Sequence, residues 1–199
     1  MTRPTAIFRS VHQALHVAFV IDALPVTQKS NTQVLIERLL EDAGVVQSVR
    51  EEGNVNFSGL SPMEVRGQCA MVRAAVKHHC SPMEAHALHA WFADQNAAEK
   101  ILGVHAMRDH ARDTGAYTIE APMARLLISW HVHATGRLRD MCTERAIAAE
   151  HGLSQSTVHR NIVKLRAMTS ALRRAGMDRL EALFVRDGLV ERPDVAVSA

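Results

Sequence analysis

The chain has 199 residues, of which 47% are hydrophobic and 4% aromatic, and its formal net charge is +2. A chain of this length forms one medium domain or two small ones, and its apolar content excludes general disorder. Because alanine, leucine, valine and methionine predominate over aromatic residues, we predict an all-α fold.

Features that direct a protein to a membrane or to export are not apparent in the sequence. No apolar run reaches the roughly 20 residues of a transmembrane helix, and residues 1–6 lack the pattern of a signal peptide. The three cysteines, Cys69, Cys80 and Cys142, are odd in number and widely spaced, which favours free thiols over disulfides. We therefore expect a cytoplasmic protein without a membrane partner.

The first third of the chain predicts two helices. Apolar residues at helical spacing predict the first over 11–22. The second begins at Asn31 or Thr32, either of which can cap it, and ends at Gly44. The turn-forming residues of 45–60 predict an irregular segment, in which a short hairpin is an open alternative.

A capping sequence occurs twice in the middle of the chain. Ser-Pro-Met-Glu stands at 61–64 and again at 81–84. In each copy serine can cap a helix, proline occupies the first helical position and glutamate can bond back to the cap. The pattern predicts helices over 62–79 and 82–102, joined by a tight turn at 79–80.

The remaining elements lead to the C-terminal region. Residues 109–120, with Gly115, predict an exposed connection, Pro122 begins a helix, and Gly136 ends or bends it. Beyond residue 190 no periodicity remains. The predicted organisation has three parts: a helical N-terminal body over 1–118, a C-terminal domain over 119–190 and a loose tail over 191–199.

The most informative segment is 143–165, Thr-Glu-Arg-Ala-Ile-Ala-Ala-Glu-His-Gly-Leu-Ser-Gln-Ser-Thr-Val-His-Arg-Asn-Ile-Val-Lys-Leu. Thr143 can cap a short helix, Gly152 can adopt the positive φ of a tight turn, and Ser154 can cap a second helix that continues to about Ala175. This order predicts a helix-turn-helix motif, and therefore a C-terminal helix-turn-helix, DNA-binding domain over 119–190. Its predicted inward-facing residues are Ile147, Ala148, Leu153, Val158, Ile162 and Leu165.

The outward-facing residues of this motif suit contact with DNA. Glutamine can pair with adenine and arginine with guanine, whereas serine and threonine bind phosphates or base edges. The predicted DNA-binding residues are Thr143, Arg145, Ser154, Gln155, Ser156, Thr157, His159, Arg160 and Lys164.

Charge is concentrated around the same motif. Residues 137–179 contain nine basic and four acidic residues, whereas 1–136 contain twelve basic and thirteen acidic ones. A local excess of positive charge is where a polyanion binds. We therefore predict double-stranded DNA as a partner.

The motif resembles the helix-turn-helix of sigma-factor region four and of response-regulator output domains. The residues that carry the resemblance are Ile147-Ala148, Gly152-Leu153-Ser154, Ser156-Thr157-Val158 and Ile162, within about 137–179. The chain departs from that pattern at His151 and His159, and in the length of its second helix.

A helical body followed by such a motif also resembles phage and prophage late-gene regulators, including the Q-type antitermination proteins and their bacterial relatives. The resemblance implies a protein that binds DNA near a promoter and is loaded onto paused RNA polymerase, with sigma factor. The rest of its body would contact polymerase near the RNA exit channel. Transcription antitermination is the most specific function that it implies.

Other interpretations remain open at the level of sequence. The segment 143–165 could be an ordinary corner between two helices, and the protein could be a dimeric repressor or activator, or bind as two copies on repeated sites. A recombinase or nuclease could use the motif for targeting, with Asp109 and Asp113 as the nearest acidic pair. Because no nucleophile elbow, phosphate-binding loop or recognisable carboxylate pair occurs, we predict no catalytic residue and no enzyme activity.

A metal site is the remaining alternative. Cysteine and histidine residues crowd the middle of the chain at Cys69, His78, His79, Cys80, His86 and His89. Structural zinc sites usually contain closely spaced Cys-x-x-Cys pairs, and catalytic ones His-Glu-x-x-His. Neither pattern occurs here, so we predict no metal and no cofactor.

Overall fold

The structure is a computed structural model that describes residues 6–23, 55, 57, 60–94, 96–133 and 143–191. Of these residues 78% are helical and none belongs to a strand, which confirms the predicted all-α class for the described part. The described helices are α1 (Val11–Ala23), α2 (Pro62–His79), α3 (Pro82–Phe92), α4 (Ala97–Asp113), α5 (Ala121–His133), α6 (Glu144–Glu150) and α7 (Gln155–Arg186).

Some sequence predictions fall outside the described residues. They are the helix predicted to begin at Asn31 or Thr32, most of the irregular segment 45–60, the helix end at Gly136, Cys142, and all but the first residue of the tail 191–199. Over the ranges that are described, no helix is both long enough and apolar enough to cross a membrane.

The chain divides into two compact units, one formed by 1–79 with 177–199 and the other by 80–176. The boundaries of the units therefore lie at the turn after α2 and within α7, and neither falls at residue 118. The division into a body and a DNA-binding domain at that residue concerns function and stays a prediction.

In the first unit, α1 packs against α2, and the chain end returns beside the start of α1. The Phe8 N–H donates to the Leu189 carbonyl at 2.9 Å, and the Glu191 N–H donates to the Phe8 carbonyl at 3.0 Å. Phe8 and Phe57 meet edge to face with 6.1 Å between ring centroids. The largest fully buried side chains described in this unit are Phe8, Gln13, Leu15, Ile21, Val72, Leu180 and Phe184.

In the second unit, one hydrophobic core joins residues from all five helices. Its members are Ala87, Ala90, Val104, Met107, Ala111, Met123, Ala124, Leu127, Ile128, Val132, Ile147, Ala148, Val158, Ile162 and Leu165. The many alanines let the helices approach closely. At Gly103 of α4, a Cβ atom would lie only 2.5 Å from the His86 carbonyl oxygen of α3.

Both predicted capping sequences form. The Glu64 N–H donates to Ser61 Oγ at 3.3 Å, and the Ser61 N–H donates to Glu64 Oε2 at 2.7 Å. Ser81 and Glu84 make the same two bonds at the same distances. The repeated sequence is therefore a repeated helix start, and α2 and α3 begin at its prolines as predicted.

Three predicted boundaries are wrong. The helix predicted to continue from Ser154 to about Ala175 is longer, because α7 ends at Arg186. The single helix predicted over 82–102 is divided, because α3 ends at Phe92 and Asn96 caps α4 by accepting the Glu99 N–H at 3.2 Å. Buried Lys100 forms an ion pair with Asp94 across this break. The connection predicted over 109–120 is shorter, because α4 continues to Asp113.

Candidate nucleic-acid interface

The short helix α6 begins as predicted at a threonine cap. Thr143 Oγ1 accepts the Ala146 N–H at 3.2 Å, and Glu144 lies in the first turn, where a negative charge is favourable. Ile147 and Ala148 are buried in the core of the second unit. The cap and these two apolar residues hold a helix of only seven residues in place.

A glycine permits the turn between α6 and α7. Gly152 has φ +64°, and no atom would lie within 4 Å of a Cβ built there. The Leu153 N–H donates to the Ala148 carbonyl at 2.9 Å, the bond that commonly closes a glycine-terminated helix. A side chain would therefore fit at position 152, and glycine is needed there because of the positive φ of the backbone.

Replacing Gly152 by valine is expected to lower the free energy of unfolding by about 1–2 kcal/mol, because a branched side chain disfavours the left-handed region. Chemical denaturation followed by circular dichroism measures this difference. Gly152→Asn is the matched control. Its free energy of unfolding should fall less than that of Gly152→Val, since asparagine tolerates positive φ. Equal losses for both variants would contradict the account of this turn.

Ser154 caps α7 as predicted. Its Oγ accepts the Thr157 N–H at 3.1 Å and lies 2.8 Å from Thr157 Oγ1. Two of the residues predicted to contact DNA, Ser154 and Thr157, thus also hold the start of the helix. Val158, Ile162 and Leu165, one side of the same helix, are buried as predicted.

The predicted DNA-binding residues lie along α6, the turn and the first three turns of α7. Thr157 is half-buried and the other eight are exposed, namely Thr143, Arg145, Ser154, Gln155, Ser156, His159, Arg160 and Lys164. The Arg160 Nε donates to the Ser156 carbonyl at 3.3 Å. Among the described residues, no carboxylate forms an ion pair with Arg145, Arg160 or Lys164, so their charges are available to an anion.

One predicted contact residue has a partner that sequence reasoning missed. His159 Nδ1 of α7 lies 3.0 Å from Glu144 Oε2 of α6. This contact joins the two helices on their exposed side and engages one ring nitrogen of His159. The spacing of fifteen residues has no simple sequence signal, because it depends on the angle of the turn.

A buried polar residue that sequence reasoning also missed fixes the start of α7 to the preceding loop. Asn161 is 3% exposed. Its Oδ1 accepts the Thr118 N–H at 2.9 Å, and its Nδ2 donates to the Thr157 carbonyl at 2.9 Å. The available signal was a polar side chain at a position next to the inward-facing Ile162.

Asn161→Ala is expected to lower the free energy of unfolding by about 1–3 kcal/mol, because the Thr118 N–H would lose its acceptor in a partly buried site. Thermal or urea denaturation gives the measurement. Thr118→Ala is the matched control, since it keeps the N–H and removes only the 3.5 Å contact of the hydroxyl. If Thr118→Ala costs as much as Asn161→Ala, the main-chain bond is not the stabilising contact.

The metal site and the acidic catalytic pair that the sequence left open as alternatives can now be compared with the described structure. Among the described residues, no group of three or more His, Cys, Asp or Glu side chains could hold a metal ion. The Cys80 thiol lies 3.8 Å from the Gly176 carbonyl. Asp109 and Asp113 lie on α4, and the hydrogen bond from Arg108 lowers the pKa of the Asp109 carboxyl.

Comparison with known proteins adds no family assignment to this geometry. No protein-family model matches the chain, and a search of curated proteins finds no similar sequence.

Proposed function

We propose that this chain is a sequence-specific, double-stranded DNA-binding transcription regulator that uses α6 and α7 as a helix-turn-helix. It would act in the cytoplasm through RNA polymerase and sigma factor, with transcription antitermination as the most specific form. One observation carries the proposal: the first three turns of α7 expose Gln155, Ser156, Arg160 and Lys164. The opposite side of the same turns is buried in the core.

The dimensions and chemistry of this surface favour the major groove. The groove admits one α-helix, and the N-terminal residues of a recognition helix reach the base edges. Gln155 and Arg160 are the side chains whose donors and acceptors match adenine and guanine. The core beneath α7 and the Asn161 bonds keep the helix rigid, which reduces the ordering cost of binding.

The cations of the surface would neutralise phosphates. Each phosphate contact contributes a slope of about −0.9 to the logarithmic dependence of affinity on salt. Lys164→Ala is therefore expected to reduce the magnitude of this slope by about 1 and to weaken specific and random duplexes equally. Fluorescence anisotropy over a salt series measures both effects. An unchanged slope would remove Lys164 from the proposed phosphate contacts.

Transcription in vitro tests the regulatory part of the proposal. The template carries a promoter, a DNA site selected by the protein and a downstream terminator, and the control template carries a scrambled site. We expect more readthrough of the terminator with unchanged initiation, and no effect on the control. Altered initiation with unchanged readthrough would overturn antitermination while retaining a promoter-level regulator. No effect on either step would overturn regulation through polymerase.

A further inference from the structure

Apolar side chains are exposed on α4 and α5, two helices of the second unit that carry none of the residues proposed to contact DNA. Ile101, Leu102 and Leu126 are 56%, 63% and 40% exposed. Single exposed apolar residues are common, whereas contiguous exposed apolar patches mark sites of protein interaction. These helices pack against each other, so the feature belongs to a fixed part of the fold.

A shallow pocket of about 210 Å³ adjoins one of these three residues, Ile101. It is lined by Ile101, Val104, His105, Arg125 and Ser129. Ligand sites for small molecules usually enclose about 300–1,000 Å³, so this pocket is small for such a ligand. An open pocket of this size suits one apolar side chain that anchors a larger partner.

The charge beside the pocket is positive. Arg125 is exposed, and among the described residues no carboxylate forms an ion pair with it. On α4, the Asp109 carboxylate is engaged by Arg108, whose Nη2 donates to it at 2.6 Å. A partner that brings its own carboxylate would therefore complement Arg125.

We propose that the α4–α5 pocket binds an acidic, amphipathic segment of another protein. An apolar side chain of that segment would fill the pocket beside Ile101, and an aspartate or glutamate one helical turn away would pair with Arg125. A second copy of this chain is disfavoured as the occupant. A two-fold interface centred on Arg125 would bring two like charges together.

A displayed library of random 15-residue peptides, selected on the full chain, tests the proposal. We expect selected peptides to combine an apolar residue with aspartate or glutamate three or four positions away. Arg125→Glu should weaken the best acidic peptide at least about tenfold and shift a new selection towards lysine and arginine. Ile101→Lys should also lower the affinity for this peptide at least about tenfold, because it removes an apolar side chain from the pocket wall and adds a charge.

Met71→Lys is the matched control, since Met71 is a 53% exposed apolar residue on α2 in the other unit. It should leave peptide affinity unchanged, and circular dichroism should show that all three variants keep their helix content. The proposal is overturned by a basic consensus, by affinity that survives Arg125→Glu, or by no enrichment over the Ile101→Lys chain. A dimer in sedimentation that Ile101→Lys abolishes would assign the surface to a second copy instead.

Discussion

Arg160→Ala is expected to weaken binding to the selected duplex by about 1–3 kcal/mol, or about fivefold to 150-fold, with a smaller loss on random DNA. The reason lies in what Arg160 contacts in the free protein. Its Nε donates weakly to the Ser156 carbonyl one turn earlier at 3.3 Å, which leaves its terminal nitrogens for a guanine edge. Fluorescence anisotropy with both duplexes at one salt concentration measures the difference.

Arg174→Ala supplies the control for lost charge. Arg174 is also exposed on α7, but it lies fourteen residues further on, about 21 Å along the helix axis. Arg174→Ala should therefore leave unchanged the ratio of the affinity for the selected duplex to the affinity for random DNA. Equal losses on both duplexes for Arg160→Ala would mean that Arg160 contacts phosphate alone. No loss on either would remove it from the interface.

Gly103→Ala is expected to lower the free energy of unfolding by about 1–3 kcal/mol, although alanine is the better helix former. A Cβ atom at this position would lie 2.5 Å from the His86 carbonyl oxygen and 2.9 Å from the Ala90 nitrogen. Both neighbours are main-chain atoms of α3. The clash therefore cannot be relieved by rotating a side chain, and α3 and α4 would have to move apart. Urea denaturation measures the loss.

Gly67→Ala is the matched control within another helix. Gly67 is exposed in α2, and nothing lies within 4 Å of a Cβ built there. The same substitution should therefore raise the free energy of unfolding by about 0.5–1 kcal/mol through helix propensity alone. Opposite signs at the two glycines support the close approach of α3 and α4. A gain at Gly103 would contradict it.

Local signals in the sequence predicted much of the described fold. Helix starts at Ser61, Ser81 and Thr143 were readable because a cap needs only a few consecutive residues. Gly152 was readable because a tight turn between two apolar helices needs positive φ. The inward-facing residues of α6 and α7 followed from helical periodicity and are confirmed.

The features that could not be predicted depend on tertiary contacts or on competing local signals. Apolar spacing continues from α3 into α4, and therefore it hides the break that the Asn96 cap introduces. Asn161 was missed because its partner is the Thr118 main chain, forty-three residues away. The angle at Gly152 brings Glu144 to His159. The sequence motif therefore identified the candidate interface. The contacts that fix the helices of that interface, made by Asn161 and between Glu144 and His159, could be seen only in the structure.

Selection from a pool of random duplexes by the full chain, followed by affinity measurement, tests the central claim most directly. We expect one consensus whose affinity exceeds that of scrambled DNA by about 10³-fold or more at physiological salt, with the advantage reduced by Arg160→Ala. Two equal half-sites one helical turn apart would assign the binding to a dimer. The absence of any enriched sequence, or a preference unaffected by Gln155→Ala and Arg160→Ala, would contradict DNA recognition by α6 and α7.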